Sequence, residues 1–172
     1  MATDTVVFRK LRDEEEVEGY RVICDTVDWL KTKGISLWEK PLPRAIYTER
    51  QKQGQNYGLF VGGKLAVILS LIPGVPSYWT ADVGNPGATW LCAMATADAF
   101  RHRQLGSRAL MEAKALLAGR GETEVYLDCK PGFLEGFYKA AGFSPIIQRD
   151  LDIPHASTRE PIRATLMRYS LA

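Results

Sequence analysis

Between residues 90 and 129 the chain reads strand, loop, helix, strand, and this run constrains the fold more than any other. Residues 90–96 are short and apolar, as a buried strand is. Beyond a basic loop, Ala109, Leu110, Ala113, Leu116 and Leu117 fall on one helical face, with Arg108, Glu112, Lys114 and Arg120 mostly off it. Gly119 and Gly121 suit its end. Residues 124–129 are again a short apolar strand. Two strands joined through a helix predict a parallel pair with a right-handed crossover.

The rest of the chain predicts antiparallel partners. Residues 5–9 read as a strand and 13–31 as a helix, with the acids of residues 13–16 at its positive end. A proline-rich bend at 40–44 precedes a short helix over 45–53. Residues 57–61, Gly62-Gly63 and 64–72 form a hairpin pattern, followed by a Gly- and Pro-rich loop over 73–86. Leu134, Phe137, Tyr138 and Ala141 share a helical face that Gly142 stops. Residues 145–153 and 162–171 read as closing strands around a polar loop at 154–161. The expectation is a single α/β (α+β) domain over residues 1–172. Its mixed sheet is largely antiparallel, with a central parallel pair and flanking helices.

The loop between the parallel strands is where chemistry is expected. Arg101, His102, Arg103, Gln104, Leu105, Gly106 and Ser107 set a cationic loop with one glycine at a helix entrance. A helix start leaves backbone N–H groups unpaired and is the positive end of the peptide dipoles. A phosphate fits there, and arginines can grip its oxygens. A solvated basic loop before an ordinary surface helix has the same spacing.

Composition narrows the classes. A net charge of +2 calls for no nucleic acid, and no apolar run is long enough to span a bilayer. Cys24, Cys92 and Cys129 lack metal-ligand spacing, so no metal is expected. Reduced thiols and the lack of a signal-peptide core lead to a cytoplasmic expectation.

At this point the chain resembles the GNAT superfamily of acetyl-CoA-dependent N-acetyltransferases. The element order matches over nearly the whole chain. Residues 101–106 lie on the family's Arg/Gln-x-x-Gly-x-Gly/Ala loop pattern. Phe137-Tyr138, three residues, then Gly142-Phe143 is similar to its second motif, about 30 residues further on. The stretch from Ala164 to Arg168 resembles its final strand. The resemblance implies the GNAT acyltransferase fold, with the parallel pair splayed for CoA. It implies transfer of acetyl from acetyl-CoA to a primary amine of a small molecule or peptide, by direct attack in a ternary complex. Backbone N–H groups from Arg101 to Ser107 would hold the pyrophosphate, and the backbone of Met94, Ala95 and Thr96 would pair with the pantetheine arm. Tyr138 would be the general acid that protonates the leaving thiolate.

The chain departs from the pattern in three places. Gln104 stands where the family usually has glycine, and Pro131 about where many members have asparagine. Residues 90–96 contain no carboxylate, where many members place a glutamate base. Asp128, Asp82, Glu39, His155 and a water chain remain alternatives for that base. Cys92 and Cys129 raise an acyl-cysteine route that no neighbouring base supports. The acceptor wall draws on Trp29, Trp38, Tyr47, Tyr78 and Trp79, with Glu39 and Glu49 as attractors of a cationic amine. The departures motivate an alternative reading, a GNAT-fold module that senses acyl-CoA without turnover. A homodimer is compatible with an exposed strand edge.

Overall fold

The computed structural model describes residues 4–35, 40–152 and 161–172. Seven strands form one sheet: β1 (Val6–Lys10), β2 (Asn56–Val61), β3 (Lys64–Pro73), β4 (Thr89–Thr96), β5 (Glu124–Cys129), β6 (Ser144–Leu151) and β7 (Ile162–Ser170). Their order is β1-β2-β3-β4-β5-β7-β6. The helices are α1 (Glu16–Thr32), α2 (Arg44–Lys52), α3 (Leu105–Gly119) and α4 (Phe133–Ala140). β1–β2, β2–β3, β5–β7 and β6–β7 pair antiparallel. β4 and β5 pair parallel, as strands joined through α3 must. This is the mixed, largely antiparallel architecture expected above.

The helix expected over 13–31 begins as a 3-10 turn, Asp13–Glu15. Glu15 causes the difference. Its carboxylate accepts from the Arg12 N–H at 2.8 Å and takes the Arg9 guanidinium through two bonds of 2.8 and 2.7 Å. The β2–β3 hairpin turns at Gly62 and Gly63, where φ is +56° and +77°, a pair of values that suits glycine. The loop expected at 154–161 lies outside the described residues except for Pro161.

Contacts group the residues into two compact units. The first comprises residues 1–70 and 93–112, the second residues 71–92 and 113–172. In the first, Leu11, Val22, Ile23, Tyr47, Phe60, Leu65, Ile68 and Ala95 form the core, packing α1 and α2 on strand side chains. In the second, Val75, Trp79, Ala88, Trp90, Tyr126, Leu151, Ala164 and Leu166 form a core over one face of β5 and β7. Burying such side chains is worth about 1.5–3 kcal/mol each, so both clusters hold their strands firmly.

Candidate active site

The basic loop belongs to the first unit, and its backbone is unusual. His102 and Gln104 have φ of +61° and +56°, in the left-handed region that most residues avoid. Gln104 therefore holds a backbone angle that ordinarily favours glycine. The first turn of α3 starts with Arg108 N–H donating to Gln104 O at 3.2 Å. The amides of Leu105, Gly106 and Ser107 have no partner inside the helix. The first turn contains no acidic residue. His102, Arg103, Gln104 and Ser107 are exposed. This end of α3 suits a phosphate, which would accept those amides at the positive end of the dipole.

The arginines divide into two kinds. Arg101 is 11 % exposed and its guanidinium lies 4.1 Å above the Trp29 ring. It also binds Asp98, through Nε at 2.9 Å and through Nη2. His102 meets the same indole edge-on, with centroids 6.5 Å apart. Arg101 thus ties the loop to α1, while Arg103 stays exposed, 5.5 Å over Phe100. Sequence reasoning missed Asp98 as a partner of the loop, although its place three residues before Arg101 was a readable signal. Trp29, expected in the acceptor wall, instead packs under the Arg101 guanidinium.

Upstream, β4 carries Met94, Ala95 and Thr96. Ala93, just before them, has φ +53°, a left-handed residue inside a strand. Such a residue costs about 1–3 kcal/mol and redirects the peptide groups that follow. The parallel ladder has two rungs, Thr89–Val125 and Trp90–Tyr126. Both strands continue past it, β4 to Thr96 and β5 to Cys129.

Tyr138 lies in the second unit, and the motif around it has a local physical origin. Phe143 N–H donates to Tyr138 O at 3.0 Å, and Gly142 N–H to Lys139 O at 2.9 Å. Gly142 has φ +93°. This is a Schellman cap, whose usual hydrophobic contact joins the residues at the Tyr138 and Phe143 positions. Those rings meet at 5.8 Å and 72°. Phe137 packs edge-on to Tyr138 at 5.2 Å. The spacing Tyr, three residues, Gly-Phe is thus the spacing of a helix end. Burial, followed by the charges of Cys129, Asp128 and Cys92, pushes the Tyr138 hydroxyl well above the ordinary tyrosine range. It is protonated at neutral pH, as a proton donor must be.

The remaining candidates separate clearly. Cys129 is buried, and its thiol is pushed up to about 12 by burial and by Glu135 and Asp128, the wrong direction for a nucleophile. Asp82 is bound to Arg149. Asp128 accepts the Trp79 indole N–H at 2.8 Å. Glu39, Trp38 and His155 lie outside the described residues. The aromatic wall is largely used in packing: Trp29 against Arg101, Tyr47 at 1 % exposure in the first core, Trp79 at 0 % in the second. Tyr78 is half-buried, and Glu49 accepts from Gln53 at 2.8 Å. Among the described residues no group of three His, Cys, Asp or Glu side chains is placed to hold a metal ion. None of their helices is long and apolar enough to cross a membrane.

The sequence model of the acetyltransferase (GNAT) family matches residues 23–143. The chain belongs to the GNAT acetyltransferase family, whose acetyl donor is acetyl-CoA. The chain is similar to a GNAT-family acetyltransferase from Streptococcus agalactiae, at TM-score 0.76 and 14 % identity, with 99 % of this chain and 98 % of that one covered. It is similar to the ribosomal-protein-S18-alanine N-acetyltransferase from Escherichia coli, at TM-score 0.70 and 16 % identity, covering 98 % and 95 %. YncA of Salmonella typhimurium, solved with its cofactor acetyl-CoA, gives 0.67 and 13 %, covering 98 % and 95 %. No curated protein matches the chain by sequence.

Proposed function

We propose that this protein is a cytoplasmic N-acetyltransferase that moves the acetyl group of acetyl-CoA onto a primary amine of a small molecule or peptide. The whole chain serves as one catalytic domain, and the amine attacks directly in a ternary complex. The capped end of α4 carries this reading. It holds Tyr138 by two backbone bonds and two ring contacts, with the hydroxyl kept protonated. The cap and its ring contacts would be met by phenylalanine, so packing alone does not call for the buried hydroxyl.

Each group has a task. The amides of residues 102–107 hold the pyrophosphate, with the α3 dipole behind them. The backbone of Met94, Ala95 and Thr96 takes the amide-rich pantetheine arm as an added strand. A free N–H there stabilises the thioester oxygen as it gains charge. The nitrogen lone pair forms the C–N bond and the C–S bond breaks. Tyr138 gives its proton to the departing thiolate and recovers one from the nitrogen. Gln104 is no argument for a sensor without turnover, because its φ of +56° keeps the glycine-like backbone at the phosphate end. The resemblance in fold to an enzyme acting on a ribosomal-protein alanine puts peptide N-termini among the acceptors to test first.

The test is a screen of primary amines that follows thiol release from acetyl-CoA, run with Tyr138→Phe alongside. The expected result is turnover by the wild type. Loss of a positioned general acid costs about 10²–10⁴-fold in kcat, with the Kd for CoA unchanged. Tight CoA binding without thiol release from any amine would instead identify a sensor.

A further inference from the structure

One carboxylate in the second unit sits where a structural role does not require it. Asp128 is the penultimate residue of β5 and pairs with Leu166 of β7 across the ladder. It therefore shares a sheet face with Tyr126, two residues earlier, and with the apolar cluster of Val75, Trp79, Trp90 and Leu166. Its Oδ2 accepts the Trp79 indole N–H at 2.8 Å. Trp79 is fully buried, while Asp128 is half-buried. Burial is the largest influence on the carboxyl and pushes it up; the bonds from Trp79 and from its own backbone pull it down. Arg149 lies 4.8 Å over the Trp79 ring, but its guanidinium is engaged by Asp82 and by the Tyr78 carbonyl. A neutral amide oxygen would satisfy the indole equally well without bringing a charge into this cluster.

The opposite face of β5 and β7 belongs to α4. Glu135 accepts from Thr165 Oγ1 at 3.0 Å, and the Phe143 ring meets Tyr169 at 5.4 Å. Tyr138 thus approaches the end of β5 from one face and Asp128 from the other. They are close enough that the Asp128 charge raises the Tyr138 hydroxyl. Cys129 and Cys92 are the other titratable groups that act on Tyr138, and both are thiols.

We propose that Asp128 is the general base of the acetyl transfer, taking the proton of the acceptor ammonium on the sheet face opposite Tyr138. This rests on the acetyltransferase reading above. It fills the place left by the absence of a carboxylate in β4, whose sequence from Thr89 to Thr96 is TWLCAMAT. The ammonium gives one proton to an Asp128 oxygen, which passes it to bulk water. The freed lone pair forms the C–N bond as C–S breaks. The second nitrogen proton is balanced by the one that Tyr138 delivers to the thiolate. The products are the amide, the free thiol of CoA and one proton in solution.

The test uses Asp128→Asn in the full chain, because asparagine still offers the Trp79 indole an oxygen. Thiol release from acetyl-CoA is followed with an alanine-starting peptide, spermidine, ethanolamine and benzylamine as probes. The expected result is a kcat lowered about 10²–10⁴-fold at neutral pH, recovering as pH rises and the amine loses its own proton. The Kd for CoA stays unchanged. The raised carboxyl makes ionised Asp128 a burden on the folded state above the ordinary aspartate range. The variant therefore melts no lower than the wild type at neutral pH, whereas a structural carboxylate would melt lower. Wild-type turnover together with an Asp128→Asn rate within threefold across the pH profile overturns the assignment alone. Absence of thiol release from the wild type with every probe overturns both the acetyltransferase reading and this one. If Asp128→Asn does not fold, the wild type decides. The acid limb of kcat/KM and the titration of the Trp79 indole N–H signal must share one midpoint above the ordinary aspartate value, and separate midpoints refute the proposal.

Discussion

Gly142→Ala is the sharpest single perturbation of the capped helix, and its size follows from two observations. The φ of +93° lies outside what an L side chain adopts readily, which costs about 1–3 kcal/mol. The new Cβ would also stand 2.8 Å from Tyr169 Cε2 and 3.4 Å from Cδ2. Tyr169 is not free to retreat. The Lys114 ammonium lies 4.2 Å above its ring, and Phe143 packs on it at 5.4 Å. Overpacking of this kind adds about 1–3 kcal/mol, so the expected loss is about 2–6 kcal/mol. For a chain of 172 residues each kcal/mol moves Tm by about 2–4 °C, so Tm should fall by about 4–24 °C. Gly136→Ala is the matched control, because that Cβ meets open space inside the same helix. It should hold or raise Tm, since alanine is favoured over glycine by about 1 kcal/mol in a helix interior. Calorimetry on both variants, with kcat on an accepted amine, checks the reasoning. Equal Tm values for the two variants would refute it. So would a Gly142→Ala protein with full kcat, because Tyr138 is the residue that this cap holds.

Trp29→Ala should weaken CoA binding several-fold with little change in saturated kcat, since it removes a cation–π contact worth about 0.5–2 kcal/mol that ties Arg101 and its loop to α1; titration calorimetry reads it. Gln104→Gly should leave stability unchanged or raise it by about 1 kcal/mol, the relief of a left-handed side chain offset by glycine's chain entropy, with CoA affinity retained. Gln104→Val should destabilise, because a β-branched residue tolerates that φ worst; thermal melts of the pair settle the order. Glu15→Gln tests acid stability. The Arg9 guanidinium and the Arg12 N–H hold the Glu15 carboxyl below its ordinary value. Its contribution is present above the ordinary glutamate range and is lost as pH falls through the lowered value. The variant should therefore melt below the wild type at neutral pH, with the gap closing in acid.

The strand–helix–strand core, the hairpin and the Gly142 stop were legible because each depends on side chains within a few residues of one another. Helical spacing in α3, paired glycines at the hairpin and the Tyr138-to-Phe143 interval are all local chemistry. The basic loop was legible in the same way, but the anchoring of the Arg101 guanidinium by Asp98 and Trp29 was not, because Trp29 is brought there by folding. Sequence reasoning took Gln104 as a departure in side chain, while the retained quantity is the backbone angle, which no residue name reports.

The sequence by itself determined the element order, the parallel crossover and the helix cap that presents Tyr138, because short-range sterics and hydrogen bonding decide them. Only the tertiary structure decided which carboxylate meets a guanidinium and which meets a neutral donor. Asp82 and Asp128 are alike as letters. One is bound to Arg149, and the other meets an indole 49 residues away within an apolar cluster. The field that sets a carboxyl's proton affinity comes from groups brought near by folding, and chain order does not encode those distances.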